Sequence, residues 1–183
     1  MKQQEKKVLG EDRRSLILKW LTESVEPITG TLLASKTNVS RQVIVQDISI
    51  LKARNYPILA TSQGYVFIKE QAKTDLYSKV IACKHLPEET ERELNMIVDL
   101  GGSVKDVVVE HPVYGDLTAS LMIRNRRDVQ DFTHKMSSTN AALLSQLTDG
   151  VHLHTIEART HEQLDEICNA LSEVGFLLSS EDD

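Results

Sequence analysis

The 183-residue sequence lacks the features of a secreted or membrane-spanning protein. It has only two cysteines, Cys83 and Cys168, which are too few for a disulfide framework and fit a reducing compartment. No uninterrupted apolar run approaches the roughly 18 residues that a membrane helix needs. The polar residues 1–7 are not followed by the apolar segment of a signal peptide. We therefore expect a cytoplasmic protein with no membrane partner and with both thiols buried and free.

Several motifs of common enzymes are also missing. The sequence contains no P-loop and no H-E-x-x-H zinc motif. It shows no Gly/Ser-rich linker and no internal repeat at solenoid spacing. These absences favour a chain of ordinary globular domains that is not an enzyme.

Charge is distributed unevenly along the chain. With His counted as neutral, residues 1–70 carry a formal net charge of +4, whereas residues 71–183 carry −10. A basic segment within an acidic protein is what a phosphate-contacting module needs, because phosphate neutralisation supplies much of the affinity for DNA. The sequence thus predicts a DNA-binding domain over residues 1–70 and a separate regulatory domain over residues 71–183.

Helical periodicity in the first domain predicts three helices. Asp12 is the predicted N-cap of the first helix, which ends near Glu23. Thr29 begins a short second helix that buries Leu32 and the residues beside it. Ser40 caps the third helix.

The third predicted helix has one apolar face and one polar face. Val43, Ile44, Ile48 and Leu51 are the expected buried residues. Side chains near the start of a recognition helix reach base edges in the major groove, and Arg and Gln suit guanine and adenine. The predicted DNA-contacting residues are Ser40, Arg41, Gln42 and Gln46.

A β-hairpin follows this helix. The runs Ile58–Thr61 and Tyr65–Ile68 are rich in β-forming residues and are separated by a turn that contains Gly64. Three helices followed by such a wing predict a winged helix-turn-helix. The alternative from the residues alone is a three-helix protein-interaction module.

The second predicted domain has an α+β fold with a mainly antiparallel sheet. Strand patterns alternate with helical ones, and Asp149-Gly150 is a typical signal of a two-residue hairpin. The predicted strands are 76–84, 104–110, 116–123, 143–148 and 151–157. The predicted helices are 88–100, 125–136 (capped by Asn125) and 160–174 (capped by Thr160), and a short strand follows Gly175.

Histidines in this domain have spacings that favour a metal site. His152 and His154 are two residues apart in a predicted strand, so both project from the same face. His85 ends the first strand, and Glu93 follows on a helix that can fold back over the sheet. Three imidazoles and one carboxylate suit one divalent ion, namely zinc, nickel or iron. His111 is a further candidate for the same cavity, in contact with the metal ligands or with an organic ligand.

Other interpretations of these residues remain open. The histidines can simply be hydrogen-bonded groups on one face of the sheet. Cys83 shares a face with His85 and is an alternative soft ligand, although core packing is the simpler role for it.

Two segments of the chain resemble known domains. Residues 38–43, 56–58 and 64–66 resemble the winged helix of biotin-repressor-type regulators, although Gln46 stands where that pattern has Arg and Asn55 where it has Gly. Residues 84–87 with Glu93, 109–115 and 147–154 resemble a three-histidine domain. The pairing is similar to that of the niacin-responsive transcriptional repressors of Gram-positive bacteria.

This resemblance implies a function and a ligand set. It implies a homodimeric repressor of NAD biosynthesis and niacin uptake genes that binds a double-stranded DNA operator with nicotinic acid as co-repressor. The family's metal ligands fall on His85, Glu93, His152 and His154, and nicotinic acid would bind near the metal.

Three alternatives to this function stay open at the level of sequence. The protein can be a metal sensor without an organic ligand, or its acidic domain can serve only to dimerise it. A DNA-binding metalloenzyme with Glu88 or Glu110 as general base is the third alternative.

Overall fold

The protein has two compact units, residues 1–72 and residues 73–183, in a computed structural model that describes residues 9–69 and 76–178. The predicted boundary at residue 70, like the polar segment at residues 1–7, lies outside the described residues. Within those residues, no helix is both long and apolar enough to cross a membrane. The predicted fold class is confirmed: a helical unit with a wing precedes an α+β unit with an antiparallel sheet.

The N-terminal unit packs three helices and a two-stranded hairpin around one apolar core. Its buried centre includes Ile17, Leu33 and Ile44, each with no exposed surface. Trp20 packs against the edge of this core. The elements are α1 (Gly10–Glu23), α2 (Gly30–Thr37), α3 (Arg41–Ala53), β1 (Ile58–Thr61) and β2 (Gly64–Phe67).

The predicted cap at Ser40 is confirmed, and Thr29, where the second helix was predicted to begin, is the N-cap of α2. The Thr29 hydroxyl accepts a hydrogen bond from the Leu32 N–H, and the Ser40 hydroxyl accepts one from the Val43 N–H. The cap at Asp12 is wrong, because α1 begins at Gly10 and places Asp12 in its first turn. Acidic residues are favoured both at N-caps and in first turns, so residue type does not separate the two positions.

The burial of Leu32 was also predicted wrongly. Leu32 is 47% exposed, whereas its neighbours Leu33 and Ala34 are buried. Adjacent residues on a helix point about 100° apart, so a short apolar run does not itself say which members face the core.

A buried ion pair joins α1 to α3. The Arg13 guanidinium donates to both carboxylate oxygens of Asp47, and Arg14 donates to Oδ1 at 3.1 Å. The Arg13 and Asp47 side chains are only 8% and 2% exposed. Breaking such a pair leaves an uncompensated charge in the core, so this contact strongly constrains how α3 packs on α1.

The C-terminal unit contains a four-stranded sheet in the order β3-β6-β4-β5, with every neighbouring pair antiparallel. Apolar residues of the sheet and of all three helices form a single core. The strands are β3 (Tyr77–Lys84), β4 (Ser103–His111), β5 (Gly115–Ile123) and β6 (Val151–Ala158), and the helices are α4 (Thr90–Asp99), α5 (Arg126–Thr139) and α6 (His161–Glu173). The caps predicted at Asn125 and Thr160 are confirmed.

The hairpin predicted around Asp149-Gly150 is wrong. Leu144–Thr148 is a 3₁₀ helix, and β6 pairs with β3 and β4 instead. Asp149 and Gly150 both have positive φ, and the Gly150 N–H donates to the Ser145 carbonyl. Left-handed residues end helical turns as readily as they form tight hairpins, so the Asp-Gly signal here terminates a helix.

Replacing Asp47 tests the importance of the buried ion pair. Asp47→Asn removes the charge that neutralises Arg13, so we expect the free energy of unfolding to fall by about 3–5 kcal/mol. The measurement is urea denaturation followed by fluorescence of Trp20, the single tryptophan of the chain, which reports on the N-terminal unit.

Asp12→Asn is the matched control for this measurement. Asp12 is exposed in the first turn of α1, so its neutralisation should cost less than about 1 kcal/mol. An Asp47→Asn variant as stable as this control would show that the ion pair does not hold the unit together.

Candidate metal and ligand site

Glu93 on α4 stands at the centre of three histidines. Its side chain has no exposed surface, and Oε2 lies 2.7 Å from His85 Nε2 and 3.4 Å from both His152 Nε2 and His154 Nε2. The two β6 histidines point to the same face because they are two residues apart, and His85 follows directly after β3, the strand that pairs with β6. The structure thus brings together all four residues that the sequence selected as metal ligands.

Main-chain carbonyls fix the orientation of each imidazole ring. Nδ1 of His85 donates to the Leu86 carbonyl at 2.9 Å, and Nδ1 of His152 donates to the Gly150 carbonyl at 2.8 Å. Nδ1 of His154 donates to the Asp106 carbonyl at 2.8 Å. A carbonyl only accepts, so each Nδ1 carries a proton and each Nε2 faces Glu93. Nε2 donates to the carboxylate when the ring is protonated, and it offers a lone pair to a metal ion when the ring is neutral.

This arrangement needs a positive charge at its centre. Burial raises the pKa of the Glu93 carboxyl, but hydrogen bonds from His152, His154 and His85 outweigh it and hold that pKa well below its usual value. For His85 and His154, burial lowers the pKa, because it disfavours the charged imidazolium. Hydrogen bonds to Glu93 and its negative charge outweigh this effect, so both pKa values lie above their usual values. A carboxylate beside three nitrogen lone pairs is stable only if a proton or a metal ion neutralises it.

A divalent metal ion fits the groups present. Glu93 Oε1 is buried and has no hydrogen-bond partner among the described residues, so a carboxylate oxygen remains for a further ligand or ion. Three imidazole nitrogens and one carboxylate are a donor set typical of transition metals. Cys83 is also close, because one ligand atom each from Cys83, Glu93 and His152 lie within 4.8 Å of one another.

The cluster opens onto a largely apolar cavity of about 220 Å³. His85, Glu93, His152 and His154 form its polar wall. The remaining lining residues come mainly from α4, β5, α5 and the segment before β6, and they are Thr90, Leu94, Val107, Ala119, Leu121, Phe132, Met136, Ala142, Leu143, Leu144 and Ser145. Such a cavity suits a small, mostly apolar ligand with a polar group.

His111 does not line this cavity. It ends β4, and its Nδ1 accepts hydrogen bonds from the Val113 and Tyr114 N–H groups of the following turn. The predicted contact of His111 with the metal ligands or an organic ligand is therefore not formed in the structure. Its imidazole instead organises the β4–β5 turn.

Sequence reasoning missed two residues of the site. Thr90 lies three residues before Glu93, and this helical spacing places both on one face of α4. Gly150 has a φ of +90°, and a Cβ there would lie 2.4 Å from the His85 carbonyl oxygen. Gly150 therefore lets the chain approach His85 closely while its own carbonyl orients His152. The spacing of Thr90 and Glu93 was readable in the sequence, whereas the close approach of Gly150 was not.

The N-terminal unit presents a separate polar surface. Arg41, Gln42 and Gln46 are exposed on α3, while Ile44 and Ile48 on its other face are buried. Ser40 is exposed and uses its hydroxyl to cap the helix. A capped helix with a polar first turn, followed by the β1–β2 hairpin, has the form of a winged helix-turn-helix.

Both units match known domain families. Residues 13–66 match the HTH domain family and residues 78–180 match the 3H domain family. The chain is 56% identical over 176 residues to the transcription repressor NadR of Bacillus subtilis. The aligned residues make up 96% of this chain and 98% of that protein. It is 40% identical over 172 residues to the probable transcription repressor NiaR of Thermotoga maritima. These residues make up 94% of this chain and 97% of that protein. The chain therefore belongs to the family of transcription repressors that join an HTH domain to a 3H domain, as the sequence resemblance indicated.

Replacing Gly150 tests its role in placing His85. Gly150→Ala adds a Cβ that collides with the His85 main chain, and it also strains a left-handed residue. We expect Gly150→Ala to lower the free energy of unfolding by at least about 1 kcal/mol more than the same substitution at a left-handed glycine with open space around it. Urea denaturation followed by circular dichroism measures the loss.

Gly115→Ala isolates the contribution of strain. Gly115 also has positive φ, at +72°, but an added Cβ there meets nothing within 4 Å. Equal losses for the two variants would mean that the close approach to His85 is unimportant.

Proposed function

We propose that this protein is a DNA-binding repressor of NAD biosynthesis and niacin uptake genes, and that nicotinic acid acts as its co-repressor beside a metal ion. The observation that carries this proposal is the Glu93 cluster, which opens onto an apolar cavity. The chain that holds this cavity belongs to a family of transcription repressors. The family resemblance supplies the identity of the ligand and of the genes. The chemistry of the cavity supports that assignment.

His85, Glu93, His152 and His154 would hold the metal, one divalent ion per chain. Zinc, nickel and iron are all compatible with nitrogen and oxygen donors, and cellular supply decides among them. A bound ion would supply positive charge at the wall of the cavity and could accept a donor atom of the ligand. The carbonyls that hold the three Nδ1 atoms keep the Nε2 atoms aimed at Glu93.

The cavity suits the shape of a pyridine carboxylate. Leu94, Leu121, Phe132 and Met136 provide apolar surface for a flat ring, and the polar wall lies on one side. The polar end of the ligand would thus face the cluster while the ring is removed from water.

Repression further requires that ligand binding favour the DNA-bound state. A nearly complete switch needs the ligand to bind that state about 10⁴-fold more tightly than the other. A two-fold symmetric homodimer would present two copies of α3 to a pseudo-palindromic operator. Ser40, Arg41, Gln42 and Gln46 would then contact DNA through their exposed positions on or beside α3.

Metal content tests the proposed ligand set. We expect purified wild-type protein to hold one transition-metal ion per chain by elemental analysis. Glu93→Gln removes the anionic ligand, so it should weaken metal binding by at least about tenfold in a competitive chelator titration. Glu91→Gln is the matched control, because Glu91 lies on the same helix but is exposed. Unchanged metal affinity in Glu93→Gln would contradict the site.

DNA binding tests the co-repressor. Fluorescence anisotropy with promoter DNA should show affinity that rises when nicotinate is added to metal-loaded wild-type protein. His154→Ala should keep the weak ligand-free affinity and lose the response. Arg41→Ala should weaken DNA binding both with and without nicotinate, because it removes a cation from the exposed start of α3.

The metal-sensor alternative predicts another pattern in the same titration. DNA affinity would then follow metal concentration and ignore nicotinate. An acidic domain that serves only for dimerisation would leave the affinity unchanged by either addition.

A further inference from the structure

A hydroxyl group without a partner lies in the wall of the same cavity. Thr90 is the first residue of α4 and lines the cavity together with Glu93. Its Oγ1 is buried and makes no hydrogen bond within the described part of the chain. A buried hydroxyl that stays unpaired costs free energy, so this group is available to a ligand.

A metal ion held by the Glu93 cluster would place positive charge at one end of the cavity. None of the described residues that line it is Lys or Arg. A divalent ion held by Glu93 and three neutral histidines retains one uncompensated positive charge, which a single carboxylate neutralises. An anionic group elsewhere in the cavity would be buried without a counter-charge, at high cost.

We propose that the cavity selects a flat aromatic monocarboxylate whose carboxylate faces the His85–Glu93–His152–His154 cluster and whose ring nitrogen accepts a hydrogen bond from the Thr90 hydroxyl. This inference rests on the proposed function and fixes the direction in which the ligand binds. Thr90 is the specificity-determining residue for the ring, and the cluster is the determinant for the acid group.

Thr90 and the cluster are close enough for one small ligand to contact both. Residues three apart on a helix have Cβ atoms about 5–6 Å from each other, so Thr90 and Glu93 lie side by side along one wall. Leu94 and Phe132 also line the cavity and offer apolar surface to a ring.

The inference is tested by isothermal titration of nicotinate, benzoate and nicotinamide into metal-loaded protein. Benzoate keeps the carboxylate and lacks the ring acceptor, so wild type should bind it about two- to tenfold more weakly than nicotinate. Nicotinamide lacks the negative charge and should bind more than about tenfold more weakly.

Thr90→Val should abolish the preference for nicotinate over benzoate by weakening nicotinate alone. Thr90→Ser keeps the hydroxyl and should restore the preference. Thr133→Val is the matched control, because its hydroxyl bonds the Gln130 carbonyl on α5 and the residue does not line the cavity. This control should bind all three compounds as wild type does.

The outcomes separate the inference from the function on which it rests. Wild-type protein that binds none of the three compounds would overturn the proposed co-repressor, and the inference with it. Tight nicotinate binding that Thr90→Val leaves unchanged, or weakens equally for benzoate, would overturn the inference alone. Nicotinamide bound as tightly as nicotinate, with benzoate excluded, would indicate the opposite orientation, with the ring nitrogen at the metal.

Discussion

The buried Glu93 carboxylate is the constraint on which the C-terminal unit depends. A charge without exposed surface requires compensation, and here only His85, His152 and His154 stand close enough to provide it among the described residues. These histidines come from β6 and from the end of β3, so the pairing of the two strands and the packing of α4 must be correct together. The fold and the site therefore share one electrostatic requirement.

The clustering of the three histidines was predictable from the sequence because its signals are mostly local. The two-residue spacing of His152 and His154 reflects the strand period, and the cap at Ser40 with the polar start of α3 reflects the helix period. Each of these signals needs only the residue types within one element. The direction in which α4 folds back over the sheet is a tertiary property. Glu93 was selected from its spacing to His85, and the resemblance to a known domain led to the same residue.

The mispredicted features share a physical cause. The sequence predicts a strand at 143–148 because Asp149-Gly150 fits a hairpin turn, yet the same left-handed pair ends a 3₁₀ helix. His111, a candidate for the cavity from its place before Pro112, instead accepts hydrogen bonds from its own turn. In each case, several structures satisfy the local preference, and long-range packing selects one of them.

The main-chain carbonyls that hold the three imidazoles have an evolutionary consequence. Because Leu86, Gly150 and Asp106 hold the histidines through carbonyl oxygens, most side-chain substitutions at the first and last of these positions leave the hydrogen bonds intact. The apolar residues that line the rest of the cavity do not take part in these hydrogen bonds. Substitutions among these residues can thus change the shape of the cavity while the end formed by the histidines and Glu93 stays unaltered.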